Sequence, residues 1–244
     1  MQNGCCGVSV AINLRKPSSA LNFCQVSEPL PILPGVRLPP TPRAPRLNLA
    51  ARIVSFYATV TGAAVLWGAL RGHANILVAA GPLGLQGERV AQLLSSAALG
   101  VATGLLLVLL TRELQERFAW MRVLHNEFRH LLGPLSQREI LLLAAASAVG
   151  EECLFRGALL MHLQALLPGS LGGVLGIVGS AIVFALLHIG PGVRFLPWTA
   201  SALGMGLLLG VLCVTMGDLL GPIAVHFTVN LLNLQDIVRR QMQA

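Results

Sequence analysis

The chain has little charge. Of its 244 residues only 11% are Asp, Glu, Lys or Arg, against 55% hydrophobic, and mean hydropathy is +0.73. A soluble domain carries about 25% charged residues, so this composition argues against a cytosolic enzyme, a disordered chain and a nucleic-acid-binding domain. Lysine is almost absent, with Lys16 standing alone. Cysteine is sparse and odd in number (Cys5, Cys6, Cys24, Cys153, Cys213), without metal-site spacing. There is no phosphate-binding loop, nucleotide fingerprint or His-Glu-x-x-His zinc helix. The solvent that suits what remains is a bilayer.

The basic excess sits mainly at the N-terminus. Arg15, Lys16, Arg37, Arg43, Arg46 and Arg52 oppose Glu28 alone. A juxtamembrane basic segment is held on the cytoplasmic side by anionic lipid, which points away from nucleic acid as the partner. Residues 1–50 are Pro- and Arg-rich and read as a disordered tail. The tail could be native, a targeting segment or the product of a mis-assigned start; it lacks the charged-then-apolar layout of a secretory signal. Residues 51–244 read as a membrane-embedded helical domain.

Six apolar stretches follow, at about 53–70, 91–111, 139–163, 171–190, 197–216 and 219–237. Each approaches the roughly 20 residues that cross a bilayer as a helix. The expected fold is therefore an all-α polytopic bundle of about six spanning helices. Between the second and third stretches, residues 112–138 alternate Arg and Glu with Leu114, Phe118, Met121, Leu124, Phe128 and Leu131 at steps of three and four. That pattern predicts an amphipathic interfacial helix or a solvated extension of the second span. Arginine placement puts both termini in the cytoplasm, and a bacterial plasma (inner) membrane is the expected location. His73, His125, His130 and His162 read as surface or interface residues, and Asp218 and Asp236 as solvated span ends. Gly172-Gly173 and Gly204-x-Gly206 suit close helix packing.

Glu151, Glu152 and Arg156 do not fit this pattern. They lie inside the third apolar stretch, with Glu151 about twelve residues and roughly 18 Å past its start. Each charge at a span centre costs at least about 2.5–3.5 kcal/mol on insertion scales, and such residues are functional candidates. Glu152 and Arg156 are i and i+4, so they can pair. Glu151 is turned about 100° away and is free to act as a general base. The competing reading is an ion pair that merely pins two helices. His188 ends the fourth stretch, with Phe184 one turn earlier, and His226 and Asn230 share a face of the last. Two His, one or two Glu and one Asn suffice for a water-activating site with oxyanion donors.

Glu151-Glu152-Cys153-Leu154-Phe155-Arg156-Gly157, then Phe184-x-x-x-His188, then His226-x-x-x-Asn230, resembles the motif trio of the CAAX protease and bacteriocin-processing (CPBP, Abi) family of intramembrane endopeptidases. The resemblance covers about residues 139–235. It implies that Glu151, assisted by His188, activates water, that His226 and Asn230 stabilise the oxyanion, and that Glu152, Arg156 and Phe184 support them. The substrate would be a membrane-associated protein or peptide. No cofactor is expected; the alternative is a zinc or other divalent ion on His188, His226 and Glu151. Other functions remain open: a non-catalytic binding or immunity protein, or a small proton-coupled transporter. Depth counting leaves one difficulty, because His188 falls near the cytoplasmic end of its span and Glu151 near the middle. Tilted helices or an extended fourth helix would reconcile them.

Overall fold

The computed structural model describes residues 47–72 and 87–241. Residues 1–46 and His73 lie outside the described residues, while residues 47–50, read as the end of the tail, open the first helix. Among those described, the regular elements are helices: α1 (Leu47–Leu70), α2 (Gly87–Arg117), α3 (Ala119–Leu132), α4 (Gln137–Glu152), a π-helical segment (Cys153–Leu160), α5 (Met161–Gln164), α6 (Gly169–Leu186), α7 (Leu196–Met216) and α8 (Leu220–Gln241). A short 3-10 turn, Val193–Phe195, precedes α7. Four helical stretches are long and apolar enough to cross a membrane: Leu49–Leu70, Glu88–Arg117, Gly169–Leu186 and Val193–Met216. The count of about six is thus met for four. The third and sixth stretches carry the acidic, basic and imidazole side chains, which lower their hydropathy.

Large apolar side chains face outward, and several charged and polar ones are buried within. Phe56, Leu66, Leu94, Leu106 and Leu171 are exposed, whereas Glu152, Arg156, Ser180, Asp218 and His226 are buried. This distribution suits lipid as the surrounding medium, because side chains that would cost free energy in hydrocarbon are collected where protein groups can satisfy them. The chain is an integral membrane protein.

Helix ends follow from local chemistry. Ser136 opens α4 with a capping box: its hydroxyl accepts from the Glu139 amide, and the Glu139 carboxylate accepts from the Ser136 amide at 2.7 Å. Gly217, at φ +70°, closes α7 in the left-handed conformation that glycine adopts without a Cβ penalty. Asp218 then caps α8, accepting from Leu220 N at 2.8 Å and from the Ser96 hydroxyl at 2.8 Å. Asp218 is buried, not solvated as the sequence suggested. Pro222 falls in the first turn of α8, where its missing N–H has no intrahelical role.

The 112–138 segment divides. α2 continues to Arg117, extended backbone at Phe118 breaks the helix, and α3 begins at Ala119. Each sequence reading covers part of it. The inner face of α3 buries Met121 and Leu124 beside Phe195 and Trp198. His125 is buried as well, where the Gln115 side-chain amide meets its Nε2 at 2.7 Å. It is therefore no surface residue. His162, also read as a surface or interface residue, lies 5.6 Å from the Trp67 ring.

Small residues bring the backbones together. α2 lies against α8 where Gly100 faces the Gly221 carbonyl and Ala224, and where Gly104 faces Thr228. Gly172 and Gly206 make similar close approaches, while their partners Gly173 and Gly204 face open space. A side chain at 100 would force α2 from α8. Replacement Gly100→Leu is expected to destabilise the protein by about 1–3 kcal/mol, seen as a lower thermal midpoint in detergent, while Gly204→Leu leaves it unchanged.

Candidate active site

The candidate side chains meet where α4 runs into the π-helical segment. Glu151 and Glu152 end α4, and Arg156 lies one turn on. π segments often occur at functional positions in helices. The expected pair forms: Arg156 Nη1 donates to Glu152 Oε1 at 2.9 Å, with both side chains fully buried. Arg156 Nη2 reaches the Gly206 carbonyl in α7 at 3.1 Å. Its guanidinium lies over the Phe184 ring, 4.7 Å from the centroid. Phe184 in turn stands edge-on to Phe155 at 5.0 Å and lies 4.2 Å from the His188 ring.

His188 lies in the turn after α6, which ends at Leu186. The difficulty of depth resolves here without an extended helix. α6 stops at the level of Glu151, while α4 and α8 continue past it to Gln137 and Gln235, whose side chains meet at 3.5 Å. His188 Nδ1 donates to the Phe184 carbonyl at 2.7 Å, and Trp198 stands edge-on to the ring at 5.1 Å. The Thr199 hydroxyl holds the His188 carbonyl at 2.9 Å. His226 Nδ1 faces Glu152 Oε1 at 2.8 Å.

These contacts assign the imidazole protons. A carbonyl and a salt-bridged carboxylate can only accept, so each Nδ1 carries hydrogen. In the neutral rings, both Nε2 atoms are then bare acceptors. Both point at the same atom: Glu151 Oε2 is 3.8 Å from His188 Nε2 and 3.8 Å from His226 Nε2. Glu151 Oε2 is itself buried without a protein partner. Three acceptors thus surround one small space that calls for a donor, such as the hydrogens of a water or a cation. The site is slightly open, with side-chain exposures of 15% for Glu151 and 20% for His188 against 6% for His226 and 0% for Glu152. Beyond His188, Ile189, Gly190, Phe195, Leu196 and Thr199 help line an apolar recess of about 230 Å³.

Asn230 stands one turn from His226 on α8, and its amide donates to the Ser147 hydroxyl at 3.1 Å. Ser147 is one turn before Glu151 on α4. Asn230 therefore reaches the site's helix but is engaged beside the acceptor cluster.

Three side chains were missed by sequence reasoning. The Tyr57 hydroxyl in α1 donates to Glu151 Oε1 at 2.8 Å. Nothing in the first span marks it except a hydroxyl within an apolar helix. Trp198 and Ser147 were missed in the same way, as single polar or aromatic residues without a motif.

As to metal, two imidazole nitrogens and a carboxylate oxygen are a recognised zinc donor set. Bonds of about 2.0–2.1 Å would place tetrahedral ligands roughly 3.3 Å apart, closer than the 3.8 Å separating Glu151 from each ring. No group of three His, Cys, Asp or Glu among the described residues assembles as a metal-holding set.

Fold and site together define a helical integral membrane protein with a buried centre of carboxylates and imidazoles. Residues 136–232 match the Rce1-like family, type II CAAX prenyl endopeptidase Rce1-like. The matched segment opens at the cap of α4 and closes within α8. It takes in Glu151, Glu152, Arg156, Phe184, His188, His226 and Asn230 and excludes Tyr57. No curated protein and no solved structure matches the chain.

The buried pair yields a test. Removing one partner strands a charge in the interior, at a cost of about 3–5 kcal/mol, whereas apolar replacement of both is far milder. Arg156→Met should lower the unfolding midpoint in detergent sharply, and Glu152→Leu/Arg156→Met should recover most of that loss.

Proposed function

We propose that the protein is an intramembrane endopeptidase that hydrolyses a peptide bond through a water activated by Glu151. The carrying observation is the convergence of His188 Nε2 and His226 Nε2 on Glu151 Oε2. A water there donates hydrogens to the carboxylate and one imidazole and turns a lone pair towards a substrate carbonyl. Glu151 takes the proton as general base, with His188 beside it at the more open side. His226, whose Nδ1–H is held by Glu152, becomes a donor to the oxyanion once its Nε2 receives the water proton passed on by Glu151, and the Asn230 amide donates beside it. Asn230 leaves Ser147 in that step, a small rotation on the same helix face. Water attacks directly, so no acyl-enzyme forms. The amine leaves with a proton returned from the Glu151–imidazole cluster.

The substrate is a membrane-associated protein or peptide. A C-terminally prenylated protein, a peptide precursor and a sorting-signal protein all suit a CAAX-type enzyme. Two further segments, Gln137–Gln164 and Leu220–Gln241, cross the bilayer and make six, with their polar groups turned inward. α3 lies at the membrane surface, with Trp120, Val123 and Leu131 exposed. Both termini are cytoplasmic in a bacterial plasma membrane, following the arginines.

In a reconstituted protein, Glu151→Gln should abolish cleavage while preserving the fold. A membrane protein that accumulates uncleaved in a Glu151→Ala strain identifies the substrate; retained cleavage rules out Glu151 as base. A divalent ion on His188, His226 and Glu151 is the second reading, favoured by the three converging acceptors; it would polarise the water in place of the free base. Excess chelator is expected to leave activity intact. Loss restored by zinc would establish the metal.

A further inference from the structure

We infer that Tyr57 is a positioning residue for the Glu151 carboxylate, supplied by a helix outside the family-matched segment. The inference rests on the reading of Glu151 as the base. A carboxylate on a flexible side chain can turn either oxygen, or neither, towards the reacting water. Here Oε1 accepts the Tyr57 hydroxyl at 2.8 Å, and Oε2 is left to face both imidazoles. One oxygen is occupied so that the other is aimed. Neither His188 nor His226 provides this hold, because each Nε2 stands 3.8 Å from Glu151 Oε2, beyond hydrogen-bond reach. Among the hydrogen bonds described for Glu151, the Tyr57 hydroxyl is the donor.

The placement of Tyr57 is itself built in. α1 packs along α4 and the π-helical segment. Gly150, next to Glu151, has no side chain where the Tyr57 ring lies: a Cβ there would stand 2.8 Å from Tyr57 Cδ1. The Thr61 hydroxyl bonds the Tyr57 carbonyl at 2.8 Å, and the Phe56 ring stands edge-on at 5.0 Å. The ring is thus set before substrate arrives, as pre-organised catalysis requires.

Tyr57 is the chain's single tyrosine, which makes the test clean. Tyr57→Phe keeps the ring and removes the donor. It should lower kcat on the order of 10- to 100-fold, as misplacement of a reacting group does, with KM and thermal midpoint unchanged. Uniform 3-fluorotyrosine incorporation alters this hydroxyl alone. It should give one ¹⁹F resonance that moves on Glu151→Gln replacement, a readout independent of turnover. Wild-type kcat in Tyr57→Phe, or a ¹⁹F signal indifferent to Glu151→Gln, overturns the inference. If Tyr57→Phe also lowers the thermal midpoint, the ¹⁹F response decides. Failure of the base assignment is distinguishable, because it shows as activity surviving in Glu151→Gln itself.

Discussion

The site depends on the buried ion pair between Glu152 and Arg156. A charge stranded in this interior would be costly, and the pair lowers that cost with help from separate elements, although Glu152 Oε2 and Arg156 Nε stay without a partner. The guanidinium reaches the Gly206 carbonyl of α7 and lies over Phe184 of α6. The carboxylate receives His226 of α8. One i, i+4 pair thereby ties three other helices to the end of α4, and Glu151 is held at the centre of the knot.

That arrangement separates the two adjacent glutamates by task. Glu152 is neutralised by Arg156 and fixes the tautomer of His226. Among the described residues Glu151 has no Arg or Lys against it and meets a hydroxyl and two imidazoles. The same residue type, one position apart, is paired with a cation in one case and faces two imidazoles in the other. The helical turn of about 100° between neighbours is the physical origin of the difference.

Much of this was legible in the residues. Charges inside an apolar run can persist only with partners, so Glu151, Glu152 and Arg156 drew attention on energetic grounds, and the i, i+4 spacing correctly paired the latter two. His188 and His226 were reachable because imidazoles in apolar helices are costly in the same way. Tyr57 was not reachable. A tyrosine is at ease in a membrane helix, and its contact spans 94 positions of chain, beyond any local periodicity. The burial of Asp218 was hidden for a related reason: a carboxylate near a span end can face water or cap the next helix, and only the packing of Ser96 against it decides. The break at Phe118 escaped because its neighbours continue the amphipathic pattern without interruption.

Gly150 carries a consequence for how the centre is tuned. With no side chain between α1 and α4 at this point, the two backbones set the reach of the hydroxyl directly. The alignment of the carboxylate is therefore a matter of helix register. A slip of α1 by one residue would swing residue 57 about 100° around its axis, out of the contact altogether, while the apolar face turned to α4 would look much the same. The first helix thus acts as an indexed part, seated in a single rotational setting by one missing methyl group.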